Sequence, residues 1–202
     1  MKPSVLVAAL CFALGSVCVA QKTEPSEKTE PSEKIQLPPQ TPIFSPAELA
    51  AKVPAPKVED VKSMDAIMRA IYDAISGPAG DRDWKRFRSL FLPQARFTQV
   101  GKEPNGATFV ISWNVDEFVR DASEVFSKQP VYENAIVNDA QSYGNMAQVF
   151  SSYESRHASG EKAFDHGINS VQLLNDSTCW WVVSICWDSE RPDNPLPGKF
   201  RK

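Results

Sequence analysis

The sequence predicts an α+β domain: one curved antiparallel sheet wrapped around three helices from its N-terminal half, in the order α-α-β-β-α-β-β-β-β. Two observations carry this reading. Apolar spacing with a helical period is confined to the region before Phe126, whereas Tyr143 to Trp187 reads as three long strands in succession. The last of these, Cys179-Trp-Trp-Val-Val-Ser-Ile-Cys-Trp187, is apolar on both faces. An antiparallel sheet normally leaves one face wet, so a strand of this kind needs two covers.

Before the domain, Met1-Lys2 leads into the apolar run Val5–Leu14 and a small-residue exit ending at Ala20. This is the pattern of a secretory signal peptide over residues 1–20, cleaved after Ala20, and it predicts a periplasmic or secreted protein. Residues 21–57 follow as a tether. Lys22-Thr-Glu-Pro-Ser-Glu27 repeats at once as Lys28-Thr-Glu-Pro-Ser-Glu33, and Pro38, Pro39, Pro42, Pro46, Pro54 and Pro56 come after it. Such a stretch has too few apolar groups to build a core and is expected to be extended or disordered. Residues 58–202 then form a single domain with an extended tail.

Within the domain, Met64, Ile67, Met68, Ile71 and Ile75 form the inner stripe of a helix over Val58–Ser76, ended by Gly77-Pro78. Trp84, Phe87, Leu90 and Phe91 mark a short second helix over Asp83–Phe91, stopped by Pro93. Ala95–Val100 and Ala107–Trp113 make a hairpin. Asn114 or Asp116 caps a third helix with Phe118, Ala122, Val125 and Phe126 inward. Val131–Asp139, Tyr143–His157, Ala163–Leu174 and Thr178–Asp188 complete a meander, with Gly144 and Gly167 expected to mark bulges.

Composition excludes several classes. The net charge is −3 and no basic stripe occurs, which argues against nucleic acid or an anionic membrane as partner. There is no Gly-rich phosphate loop, nucleophile elbow or Cys/His arrangement, so no cofactor is implied. Two histidines without matched Cys or carboxylate spacing make a poor metal site, and no metal is expected. Cys179 and Cys186, about 23 Å apart on one strand, cannot join each other and read as buried small hydrophobes.

The element order, with Phe150-Ser-Ser-Tyr-Glu-Ser-Arg156, Gly167-Ile-Asn-Ser-Val-Gln-Leu173 and Trp180-Trp-Val-Val-Ser-Ile-Cys-Trp-Asp188, resembles the nuclear transport factor 2-like superfamily, also known as the SnoaL-like or cystatin-like cone, over about residues 58–192. The resemblance implies a pocket between the helices and the concave face of the sheet. It also implies that Trp181, Val183, Ile185 and Trp187 form that face. A last hairpin turning over two or four residues puts Trp181 beside Gln172, Val183 beside Ser170, Ile185 beside Ile168 and Trp187 beside His166. The same logic brings Tyr153 and His157 inward, while a one-residue slip substitutes Asn169, Asp165, Glu154 and Arg156.

On this register the candidate ligand-binding residues are Trp84, Phe97, Trp113, Ser170, Gln172, Trp181, Val183 and Trp187. His166 and His157 are candidate acid–base groups, with Tyr153 as hydrogen-bond donor. Relatives commonly pair through the convex face, so Phe150, Val171, Leu173, Trp180 and Val182 are expected at a homodimer interface. The tail from Asp188, with three prolines, leaves the sheet as a strap that closes the pocket mouth or ends in solvent. Three functions fit, in this order: an exported binder of a small apolar or amphipathic ligand, an isomerase, dehydratase or cyclase using a pocket His as base, and a dimeric interaction module with a filled core. A void below roughly 100 Å³ would favour the last.

Overall fold

A computed structural model describes Pro38 and residues 44–201. The expected signal peptide and most of the expected tether lie outside the described residues. The described residues from 44 onward form one compact unit. Inside the stretch expected to be extended, Ser45 starts a short helix, α1 (Pro46–Ala50). The Ser45 hydroxyl accepts from the Glu48 amide at 3.3 Å, and Glu48 Oε2 accepts from the Ser45 amide at 2.8 Å. This reciprocal cap, with Pro46 at the first helical position, is the local reason the turn forms.

The helix expected over Val58–Ser76 is two helices, α2 (Val58–Val61) and α3 (Met64–Ile75). Ser63 is extended between them, and its hydroxyl accepts from the Ala66 amide at 3.1 Å, so α3 begins with its own cap. Ile67, Met68, Ile71, Tyr72 and Ile75 are buried, as the spacing requires. Asp83 caps α4 (Trp84–Arg88). Strand β1 (Phe91–Lys102) starts earlier than expected and runs through Pro93, where its pairing is irregular between Phe91 and Arg96 because proline has no amide to donate. After β2 (Thr108–Asn114), Asn114 and Glu117 cap α5 (Val115–Phe126) reciprocally, at 2.9 and 2.7 Å. Four strands follow: β3 (Tyr132–Tyr143), β4 (Met146–Arg156), β5 (Asp165–Asn175) and β6 (Trp180–Ser189).

The six strands lie in the order β2-β1-β6-β5-β4-β3. All neighbours are antiparallel except β1 and β6, which run parallel. The sheet is curved and unclosed. Helix α3 packs against β3 and β6, and α5 against β1 and β2. The core between helices and sheet contains Phe87, Phe91, Phe97, Val149, Tyr153, Val171, Leu173, Val182 and Ile185.

The register of β5 on β6 decides what faces the core. Leu174 pairs with Trp181 and Leu173 with Val182, but the next pair is Gln172 with Ser184. Val183 is therefore an extra residue, a bulge that changes the phase of the strand part-way along. Trp180 and Val182 point inward before the bulge, Ile185 and Trp187 after it. The expected inward set Trp181, Val183, Ile185 and Trp187 is thus right only beyond the bulge. Trp181 lies on the other side, 1% exposed, its Nε1 donating to Asp176 Oδ2 at 2.7 Å.

This phase change also corrects the expected interface. Val171, Leu173 and Val182 are core residues, and Trp180 packs against them. Of the five residues named for it, Phe150 alone lies outward, and the chain's own tail meets it there. The Ser152 hydroxyl donates to the Phe200 carbonyl at 2.9 Å, Lys199 Nζ lies 2.7 Å from Asp139 Oδ2, and the Phe150 and Phe200 rings are 6.3 Å apart. Leu196 and Phe200 are buried. The tail is a strap on the outer face of the sheet, not a lid on the concave side. Cys186 is exposed on that outer face, Cys179 is half-buried, and both are free thiols.

Candidate functional site

Between α3, α5 and the sheet lies a cavity of about 190 Å³, lined by Ile71, Ile75, Phe97, Phe118, Phe126, Glu133, Tyr153, Asp165, Asn169, Ile185 and Trp187. Its two ends differ. Phe97 stacks on Phe118 at 4.3 Å between centroids, and Trp187 meets Phe118 edge-on at 6.5 Å, so one side is aromatic. The other side is a polar row contributed by β3, β4 and β5. The Ser155 hydroxyl donates to Glu133 Oε2 at 2.9 Å. Asn169 Nδ2 donates to the Tyr72 hydroxyl at 3.1 Å, which lies 2.6 Å from the Ser151 hydroxyl. The Tyr153 and Ser189 hydroxyls each lie 3.1 Å from Asp165 Oδ2.

Strand pairing accounts for this row. Glu133 stands opposite Ser155, Ser155 opposite Asp165, and Tyr153 opposite Gly167. A Cβ on Gly167 would fall 2.6 Å from the Tyr153 hydroxyl and 2.5 Å from the Asp188 carbonyl oxygen. Gly167 therefore marks a close approach that seats Tyr153, not a bulge. Gly144 lies in the β3–β4 turn, with φ +54°.

No family model matches the chain, and no curated protein does. Solved structures match by shape. A cystatin-like protein of unknown function from Nostoc punctiforme matches with TM-score 0.50 at 9% identity, covering 66% of this chain and 92% of that one. A protein of unknown function from Mycobacterium tuberculosis matches with TM-score 0.50 at 12% identity, covering 67% and 75%. A nuclear transport factor 2-like protein of unknown function from Silicibacter pomeroyi matches with TM-score 0.44 at 13% identity, covering 64% and 94%. The chain has the cystatin-like cone fold, the nuclear transport factor 2-like fold, of the first of these.

Inside this nuclear transport factor 2-like cone the electrostatics are set by burial. Desolvation pushes the Glu133 carboxyl up to about 7; the bonds from Ser155 and Asn169 pull against it, and the Asp165 carboxylate adds to the rise. Burial likewise lifts the Tyr72 hydroxyl to about 12, and it raises Tyr153, with the negative charge of Asp165 as the second cause. Glu133 is thus poised to exchange a proton near neutrality, within a row of hydroxyls and an amide.

Of the residues expected in the pocket of this cone, Phe97, Trp187 and Tyr153 line the cavity. Trp84 and Trp113 pack against the core without lining it; Trp113 stacks on Trp187 at 5.8 Å and donates to Asp121 at 2.8 Å. Ser170 and Gln172 face outward, Val183 is exposed at the bulge, and Trp181 is buried elsewhere. Neither histidine reaches the cavity. His157 Nδ1 lies 2.9 Å from the Pro130 carbonyl oxygen and its ring stacks on Phe164, while His166 pairs with Glu154 beyond the cavity-facing row. Arg156 is tied to Glu154 and to the Glu161 carbonyl.

Asp165 and Asn169 stand where the one-residue slip would put them. Glu133 is new. Its signal was a carboxylate alternating with Val131 and Ala135 on one side of a strand, where an apolar residue is the norm. Among the described residues no group of three or more His, Cys, Asp or Glu side chains is placed to hold a metal ion.

Proposed function

We propose that this chain is an exported domain that binds one small amphipathic molecule in the cone. Export rests on the leader-like run from Met1 to Ala20. The observation that carries the binding reading is the two-ended cavity. About 190 Å³ is the volume of roughly six waters, below the range of about 300–1,000 Å³ for drug-sized ligands but above a filled core. Its aromatic side would take the ligand's apolar body, and Tyr153, Asp165, Asn169 and Glu133 would fix its polar end. Native mass spectrometry of protein purified from its source tests this directly. A bound small molecule is expected in the wild type and absent from Ile185→Trp, which fills the cavity; a ligand retained unchanged by that variant refutes the site.

One observation favours a second reading, proton-transfer catalysis. A carboxyl near 7 beside a raised tyrosine is the pairing a general base and a hydrogen-bond donor need. Glu133 would take a proton from carbon next to a carbonyl while Tyr153 donates to the oxygen. Deuterium exchange at the α-carbons of small cyclic ketones, followed by NMR, would then be accelerated by the wild type and not by Glu133→Gln. Equal rates with both proteins exclude it.

A further inference from the structure

The lining of the cavity has a single sign of charge. Glu133 and Asp165 bring two carboxyls to one side, and no Lys, Arg or His is among the lining residues. On the aromatic side Arg82 sits over the Phe126 ring at 5.1 Å and donates to the carbonyls of Ile75, Gly77, Pro78 and Gly80. Those four bonds hold its guanidinium on the helix terminus. The other side offers Phe97, Phe118, Phe126 and Trp187, an uncharged aromatic wall for the apolar body of a ligand. An anionic ligand would meet two carboxyls with no partner for its own charge.

We infer, on the binding reading above, that the ligand is a small organic cation: a protonated amine whose apolar body lies among the aromatic rings and whose ammonium group faces Glu133 and Asp165. The ammonium would donate to acceptors already in place, the Glu133 carboxyl, Asp165 and the side-chain oxygen of Asn169. An alcohol of the same shape would satisfy one such acceptor and bring no compensating charge.

Proton linkage follows from the same geometry. The groups facing Glu133 are Tyr72 on α3, Ser155 and Tyr153 on β4, and Asp165 and Asn169 on β5; α5 lines the cavity with Phe118 and Phe126 and β6 with Ile185 and Trp187, while the Ser189 hydroxyl of β6 is bonded to Asp165. A second, polar cleft that Glu133 and Tyr72 also line holds Asp60, Arg69, Asp73 and Arg86; Arg86 is engaged there by bonds to both aspartates. Burial leaves Glu133 part-protonated near neutrality. A cation entering beside it would favour the carboxylate, so binding would release a proton, and affinity would fall as the pH drops below 7.

Calorimetry with benzylamine, benzyl alcohol and benzoate on the full chain tests this. Benzylamine is expected to bind about tenfold or more tighter than benzyl alcohol, with benzoate weakest. Its heat should differ between two buffers of unlike ionisation enthalpy, reporting proton release. Glu133→Gln, and separately Asp165→Asn, should weaken benzylamine more than benzyl alcohol and so narrow the gap between the two, with folding checked by circular dichroism. Benzyl alcohol binding as tightly as benzylamine overturns the cation inference and leaves the pocket standing. Binding of none of the three overturns both.

Discussion

The Ser155 hydroxyl donates to Glu133 Oε2 at 2.9 Å, yet burial still carries that carboxyl up to about 7. Desolvation therefore outweighs the bond. The consequence for stability has a definite sign. A carboxyl raised in the folded state binds its proton more tightly there than in the unfolded chain. Its stabilising contribution is full below about 4.5 and is lost as the pH rises through about 7. The loss over that window is on the order of 3 kcal/mol. Urea denaturation at stepped pH should show it, and Glu133→Gln should flatten the profile; an identical slope in the variant would discount Glu133.

Gly167 should tolerate no side chain. The Cβ of Gly167→Ala would press on the Tyr153 hydroxyl and the Asp188 carbonyl, moving Tyr153 away from Asp165 or prying β5 from β6. Overpacking of this kind costs about 1–3 kcal/mol. Thermal denaturation should place the variant well below wild type, and Tyr153→Phe, which removes the hydroxyl but not the ring, should cost less.

Arg86 clasps Asp60 through two bonds of 2.8 Å each and reaches Asp73 at 2.9 Å, tying α4 to α2 and α3. The bonds from Arg86 hold the Asp60 carboxyl below its ordinary value. Arg86→Ala would leave Asp60, 8% exposed, without its partner, at a cost of about 3 kcal/mol. Arg86→Lys should recover only part, because an ammonium cannot make the paired contact. The urea midpoint is the measurement, and a full recovery by lysine would show that charge alone suffices.

The outer strap should matter for folding. Ending the chain at Pro195 removes Leu196 and Phe200, both buried, and the contact between Arg201 and Glu190. The expected loss is about 2–4 kcal/mol, with Phe150 and Ile168, which line the groove beneath the strap and its surroundings, uncovered further. Melting temperature and light scattering together check this. An unchanged melting temperature would mean that the strap is not held on the sheet in solution.

Trp180 separates two architectures. A partner interface at this residue would make Trp180→Glu a soluble monomer, but here Trp180 packs against the core. The variant is expected to lose part of its native circular dichroism and to melt lower, because a charge replaces a half-buried indole packed against the core.

Much of this fold was legible in the residues. The stripe Ile67-Met68-Ile71-Ile75, the caps at Asp83 and Asn114 and the alternation in β4, β5 and β6 all act within a few positions along the chain. The break at Ser63 was legible in principle, since its hydroxyl caps the following turn. The cavity was less so. Phe97, Tyr153 and Trp187 could be named from their strands, but Glu133 joins them only through the pairing of β3 with β4.

What the sequence by itself determined is the order and kind of the elements, because helical and strand periods are set by local geometry and side-chain sterics. Only the tertiary structure decided which residues share the hollow. Val183 is admitted as an extra residue because β6 must pair with β5 on one side and β1 on the other, and that one insertion turns Trp181 outward and Trp187 inward. Pairing across strands, a relation between distant segments, then brought Glu133, Asp165 and Asn169 to one wall.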